Sequence, residues 1–172
     1  MENTFELFLD TVYAPWRREI PDLPNHIDRL EIDSGEQLPC LPGDIYFVGG
    51  GTLGKYERKR PIRYAAQEEL IFVPLERHRF RLLALESSLV YFMDRKGFYE
   101  LSIRYPTHII LYDLLRERHQ QDIAFREYLL ALDKRDRLEA FRQRYGNVLN
   151  LVPRTEIASF LCLSREYLRQ IF

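Results

Sequence analysis

The stretch "VPRTEIASFLCLSREYLRQIF", Val152 to Phe172, holds two short apolar patterns separated by a few residues. Pro153 suits the first turn of a helix, where its missing N–H costs nothing. From Arg154 onward the apolar or small residues are Ile157, Ala158, Leu161, Leu163, Leu168 and Ile171. That is the spacing of a helix-turn-helix. Two short helices cross steeply, a small residue lets them approach, and an apolar residue in the turn plugs the corner. Ser164 is placed to cap the second helix, whose outer face is Arg165, Glu166, Arg169 and Gln170. These residue types read base edges: Arg donates to guanine, Glu accepts from cytosine, and Gln pairs with adenine. Arg154 and Thr155, opening the first helix, are placed for phosphate. The same spacing also fits an ordinary helical hairpin with a charged solvent face.

Just upstream, Asp133 is expected to cap a helix with Asp136 in its first turn and an apolar stripe of Leu138, Phe141 and Tyr145. Gly146-Asn147 is expected to end it with a left-handed cap. Before that, "THIILYDLLRERHQQDIAFREYLLAL" contains neither Gly nor Pro, and Thr107 is its expected N-cap. Ile110, Leu114, Glu117, Gln121, Ala124, Tyr128 and Ala131 alternate in steps of four and three, a narrow coiled-coil-like seam that is imperfect in its middle. Ile109 and Tyr112 put apolar residues on a second face. The helix is therefore expected to serve both its own β-domain and a subunit interface.

Further toward the start the pattern shortens. From about His26 to Arg95, segments such as "IYFV", "PIRYAA", "ELIFVPL" and "SLVYFMD" are rich in Ile, Val, Phe and Tyr and are punctuated by Gly and Pro, as in a β-sandwich or β-roll. Ahead of them Phe5, Phe8, Leu9, Val12 and Trp16 form a helical stripe. Within the β-region, "VGGGTLGKYE", Val48 to Glu57, comes close to a phosphate-binding G-x-x-x-x-G-K-[ST] loop. Tyr56, however, stands where that loop needs a small hydroxyl for magnesium. "TLGKYERKRP" also alternates like a strand and ends in Pro61, whereas a working loop leads into a helix. The glycines are therefore expected to form a hairpin turn.

With 46% hydrophobic and 13% aromatic residues, the 172-residue chain can bury a proper core, and 30% charge speaks for a soluble surface. No apolar run approaches the roughly 20 residues of a membrane span, and "MENTFELFLD" has acids where a secretory signal needs a basic flank. A cytoplasmic protein is expected. The two cysteines, Cys40 and Cys162, are far apart, which argues against a disulfide framework or a cysteine-built metal or iron–sulfur site. The net charge of −1 is uneven: Asp133 to Phe172 carries eight Lys/Arg against five acids, so +3 at this end faces −4 in the remainder. A mildly basic end suits a polyanionic partner.

"PRTEIASFLCLSREYLRQIF" resembles the helix-turn-helix of the Crp/Fnr family, whose usual form is close to P-R-x-x-I-A-x-x-L-G-[IV]-S-x-E-x-[LV]-x-R-[IL]. The remainder follows in order. "SGEQLPCLPGDIYFVGGG" resembles the family's G-E-x-L-x-x-x-G-D run, and "LLALESSLVYFMDRKGFYELSIRYP" precedes the long helix. The resemblance covers nearly the whole chain and implies an α+β protein in three parts. These are a cyclic-nucleotide-binding-like, jelly-roll-like β-roll sensor domain with a flanking helix at 1–105, a dimerisation helix at 106–132, and a helix-turn-helix DNA-binding domain at 133–172. It implies a transcription regulator that binds double-stranded DNA as a homodimer, with a small-molecule effector, if any, unidentified.

Three departures qualify it. Cys162 replaces the family's usual turn Gly, and Gln170, beside Arg169, replaces an expected Arg, so contact preferences should differ. The sequence ends at Phe172, ahead of the β-wing that commonly follows. The ligand cassette departs furthest. Cyclic-nucleotide binders of the family use Phe-Gly-Glu and, about ten residues on, Arg-[Ser/Thr]-Ala, where Glu takes the ribose hydroxyl and Arg the phosphate. Here Glu69 and Arg79 stand ten apart, as do Glu68 and His78, but no Gly admits the phosphate and Phe80-Arg81 replaces the small pair. Glu69 and Arg79 are the candidate remnant of a ligand site, and a strand-edge ion pair is the preferred reading of them. Cyclic AMP should bind no tighter than millimolar.

No other chemistry stands out. His26, His78, His108 and His119 lack metal-ligand spacing and are expected as surface or capping residues. No Ser/His/Asp or Cys/His arrangement points to a nucleophile, so neither enzymatic activity nor a cofactor is expected. Tyr46, Phe47, Phe72, Tyr91 and Phe92 are core candidates, some of which could line an effector pocket.

Overall fold

The computed structural model describes residues 4–76 and 79–172. His78 therefore lies outside the described residues. The chain opens with α1 (Thr4–Val12), breaks at Pro15, and continues through α2 (Trp16–Glu19) and a 3-10 turn (Leu23–His26). The stripe read from the sequence faces inward, with Phe5, Phe8, Leu9 and Trp16 all buried.

Among the described residues eight strands follow: β1 (Asp28–Ile32), β2 (Gln37–Leu38), β3 (Ile45–Gly50), β4 (Leu53–Glu57), β5 (Arg60–Ala65), β6 (Leu70–Phe72), β7 (Phe80–Ala84) and β8 (Ser88–Met93). They form two four-stranded sheets, ordered β1-β8-β3-β6 and β2-β7-β4-β5, and every pairing is antiparallel. Tyr46, Val48, Leu53, Leu82 and Val90 fill the space between them. The glycine-rich stretch after Val48 is a turn, but it is not a hairpin. β3 and β4 belong to different sheets, so the turn is a corner where the chain crosses the roll. Gly51 makes the corner possible with φ +81°; a Cβ there would meet the Ser87 carbonyl oxygen at 2.8 Å. The hairpin is the next connection, from β4 to β5 through Arg58, whose φ is +56°.

The C-terminal half is helical: α3 (Arg95–Arg104), α4 (His108–Ala131), α5 (Lys134–Tyr145), α6 (Val148–Leu151), α7 (Arg154–Leu161) and α8 (Arg165–Ile171). Thr107 and Asp133 precede α4 and α5, yet neither side chain makes a capping bond. Leu138, Phe141 and Tyr145 are buried as expected. Gly146 is not left-handed. It keeps helical angles, φ −56° and ψ −34°, and the chain runs on into α6.

α4 turns Leu111, Leu115, His119, Asp122 and Leu129 inward. The seam residues Ile110, Glu117, Gln121, Ala124 and Tyr128 lie on the other side of the helix and are exposed, and Leu114 is half-buried. Ile110 at 46% and Tyr128 at 54% exposure leave large apolar groups open to solvent.

Candidate functional site

α7 and α8 are joined by Cys162, Leu163 and Ser164. Cys162 is left-handed, φ 53° and ψ 44°, where a side chain costs on the order of 1 kcal/mol relative to Gly. The fold recovers part of that through hydrogen bonds. Cys162 N–H donates to the carbonyls of Ala158 and Ser159, and Leu163 N–H donates to Ala158 O at 2.9 Å, closing the helix end. Leu163 is buried in the corner, against a core that includes Ile157, Ala158, Leu161 and Leu168. Leu168 alone, 1% exposed, contributes about 1.5–3 kcal/mol by leaving water. Ser164 Oγ accepts from Tyr167 N–H at 3.1 Å and caps α8.

This packing turns Arg165, Glu166, Arg169 and Gln170 outward together; all four are exposed. None of their side chains pairs with another described residue. Thr155 is also exposed, and Arg154 lies 4.2 Å over the ring of Phe172.

The other side of this helical unit is fastened to the β-roll. Glu156 Oε1 accepts from Tyr56 OH at 2.6 Å and from Tyr64 OH at 2.9 Å. Burial, reinforced by Glu156, holds both phenols protonated well above their usual range. Asn147 Nδ2 donates to Thr52 Oγ1 at 2.6 Å and to Glu86 at 3.1 Å.

A third attachment is charged and buried. Glu69, 6% exposed, accepts from Arg63 Nη2 at 3.1 Å, from Arg144 Nη2 at 2.8 Å and from Tyr145 OH at 2.8 Å. Arg144 Nη2 also donates to Asp122 Oδ1 at 2.7 Å. His119 Nδ1 lies 2.7 Å from the Leu70 carbonyl and 3.0 Å from Arg63 Nη1. The cluster joins β5, the turn before β6, α4 and α5. Burial, followed by the charge of Arg63, pulls His119 down to about 4, so the ring is neutral near pH 7. Burial, then Glu69, raises the carboxyl of Asp122.

Two expectations are corrected here. Among the described residues Glu69 does not pair with Arg79, which is exposed; its carboxylate is taken by Arg63, Arg144 and Tyr145. His108 and His119 are buried core residues, not surface ones, and His108 bonds Ser102 Oγ through Nδ1 at 2.9 Å. Local pattern does not single out this cluster, because Arg144 meets partners 22 and 75 residues away.

Between the roll and α4 lies a cleft of about 340 Å³. Lys55, Arg95, Arg116 and His119 line it together with aromatic rings that include Phe72 and Tyr112. Lys55, the lysine of the rejected phosphate loop, thus belongs to a pocket after all. Among the described residues no group of His, Cys, Asp and Glu is arranged to hold a metal ion, and no helix is long and apolar enough to cross a membrane.

This arrangement matches solved structures. A protein assigned to the Crp/Fnr family of transcriptional regulators, from Eubacterium rectale, superposes with a TM-score of 0.66 at 13% identity, over 99% of this chain and 86% of that one. The two share a fold. FixK2 from Bradyrhizobium japonicum matches with a TM-score of 0.64 at 13% identity, covering 84% of this chain and 82% of its own. The c-di-GMP responsive global regulator CLP from Xanthomonas campestris matches at 0.57 and 16% identity, over 90% and 88%. No family model matches the chain, and no curated protein matches it in sequence. The likeness to Crp/Fnr structures is therefore one of fold.

Proposed function

We propose that this chain is a sequence-specific transcription regulator of the Crp/Fnr type that binds double-stranded DNA as a homodimer. One observation carries the reading: on a compact two-helix unit, α8 offers Arg165, Glu166, Arg169 and Gln170 to solvent with none of their side chains paired with another described residue. A recognition helix in a major groove needs such a face, with Arg154 and Thr155 on flanking phosphates. Residues 1–105 serve as the sensor, 106–132 as the dimerisation helix and 133–172 as the DNA-binding domain. The exposed seam of Ile110, Leu114, Glu117, Gln121, Ala124 and Tyr128 supplies the two-fold contact. The cyclic-nucleotide site is degenerate, since Glu69 is spent inside the protein and Arg79 is apart from it. The c-di-GMP response named for CLP agrees with a regulator of this fold that answers to a small molecule. The chain carries no catalytic role and works in the cytoplasm.

A second reading has its own support. Glu156, Asn147 and Glu69 tie the terminal helices to the roll at three points, as in a sensor or protein-interaction module that makes no useful contact with DNA. Selection of bound sites from random duplexes separates the two. A regulator enriches a pseudo-palindrome with half-sites about one helical turn apart; the module enriches nothing.

A further inference from the structure

The sheet β2-β7-β4-β5 ends in a cationic tip. β4 and β5 turn through Arg58 and Lys59, and the register sets Glu57 opposite Arg60 and Tyr56 opposite Arg81 of β7. Across residues 56–60 and 79–82 five cations stand against one acid, Glu57, although residues 1–132 together carry −4. Arg58, Lys59, Arg60, Arg79 and Arg81 are all exposed, and none forms an ion pair with a described residue. Arg81 lies 5.7 Å over the ring of Tyr56. Arg58 is left-handed at φ +56°, in a two-residue loop where Gly is the favoured occupant. The start of α7 lies toward this tip. Tyr64, farther along β5, donates to Glu156 at 2.9 Å and meets the ring of Phe160 at 4.8 Å between centres. Tyr56, beside the loop, reaches Glu156 at 2.6 Å. Because Glu156 precedes Phe160, α7 runs away from the tip, which leaves Arg154 and Thr155 at the tip end.

We infer that the β4–β5 hairpin is a second DNA contact: Arg58, Lys59 and Arg60, aided by Arg79 and Arg81, hold the phosphate backbone outside the half-site. The inference deepens the regulator reading and rests on it. α8 and the start of α7 take the half-site, and the hairpin extends the footprint outward from Arg154. Arg58 stands two residues beyond Tyr56, about 7 Å of extended strand. The chemistry selects a nucleic-acid backbone. Phosphates ask only for cations, so such a contact adds affinity without sequence preference. An acidic protein fits less well, because protein interfaces centre on large apolar or aromatic anchors. No exposed large apolar residue of the described chain lies on β4, β5 or β7.

Binding of the whole chain to two duplexes tests this. One ends at the selected half-sites, and the other extends about one helical turn beyond each. The unmodified chain should bind the longer duplex roughly tenfold tighter, with a salt slope steeper by roughly two to four if each hairpin of a dimer holds one or two phosphates. Arg58→Gln, Lys59→Gln and Arg60→Gln combined should abolish that difference and leave base preference unchanged. Lys59→Gln alone should move the slope the same way. A charge-matched control, Arg18→Gln, Arg29→Gln and Lys96→Gln combined, alters α2, β1 and α3 and should keep the difference. Thermal unfolding checks that each variant is folded. The inference is overturned if duplex length makes no difference to the unmodified chain, if the folded triple variant keeps the difference, or if the control loses as much. Loss of poly-glutamate binding by the triple variant, with duplex binding unchanged, would overturn it in favour of an acidic protein partner. Scrambled duplex keeps the two readings apart. If the unmodified chain cannot tell it from the selected site, the regulator fails. Weaker binding of scrambled duplex by the triple variant, but not by the control, then upholds the hairpin on its own.

Discussion

Glu69 and Glu166 are the same residue under opposite conditions. Glu69 is buried and held by two arginines and a tyrosine, whereas Glu166 stands exposed on α8 with no partner among the described residues. The same contrast separates Arg144 from Arg165. In one region charges are consumed by each other across four elements; in the other they are kept free on a rigid support. Paired charges of the first kind hold the parts of the molecule together. Free ones, on a helix that packing has already fixed, are available for an outside partner. The two regions should therefore respond to substitution in opposite ways.

The largest response is expected at Glu69. Glu69→Gln leaves Arg63 and Arg144 buried around a neutral group, and losing one member of a buried ionic cluster costs about 3–5 kcal/mol. Glu166→Gln should stay within about 0.5 kcal/mol. Urea unfolding of both variants measures the difference; similar values would erase the distinction between the regions.

Acid should act on the buried region next. His108 and His119 are both pulled from 6.5 to about 4, in each case first by burial. Because the unfolded chain takes up these protons first, stability is fully present above about 6.5 and is lost as pH falls toward about 4. The full loss is on the order of 3 kcal/mol per ring. Asp122, whose carboxyl is raised, binds a proton more readily when folded and offsets part of it. Unfolding at about pH 7 and about pH 5 should show the decline, and equal stability would break the assignment of neutral, buried rings.

A smaller effect is expected where the two regions meet. Tyr64→Phe removes one donor to Glu156 and should cost about 1–2 kcal/mol. Hydrogen exchange should quicken in α7 more than in β8, and uniform exchange would show that Glu156 does not hold the terminal helices. On the free face of α4, Leu114→Glu should weaken self-association roughly tenfold, about 1.4 kcal/mol. Sedimentation of the unmodified chain at micromolar concentration should give twice the monomer mass. A stable monomer would remove the dimer.

Much of this architecture was legible in the sequence. Ile157, Ala158, Leu163 and Ser164 foretold the two-helix unit because helix spacing and capping are local properties, and the left-handed angle at Cys162 sits where a Gly was expected. The long helix was legible for the same reason. The glycine-rich stretch was recognisable as a turn, but its geometry was not, since sheet membership of β3 and β4 depends on strands far along the chain. Gly146 misled because tertiary packing continues the chain into α6. The partners of Glu69 were beyond reach: position ten residues on favoured Arg79, while the fold delivered Arg144 from the C-terminal half.

The free face decides the function, and binding of the unmodified chain to selected and scrambled duplexes at two salt concentrations tests it most directly. A clear preference for the selected site is expected. Arg165→Ala should relax preference at one base pair per half-site by about 1–3 kcal/mol. Arg154→Ala should weaken all sequences alike and reduce the salt slope by about one. Equal, salt-dependent binding to selected and scrambled DNA by the unmodified dimer would contradict the regulator and leave the sensor module in its place.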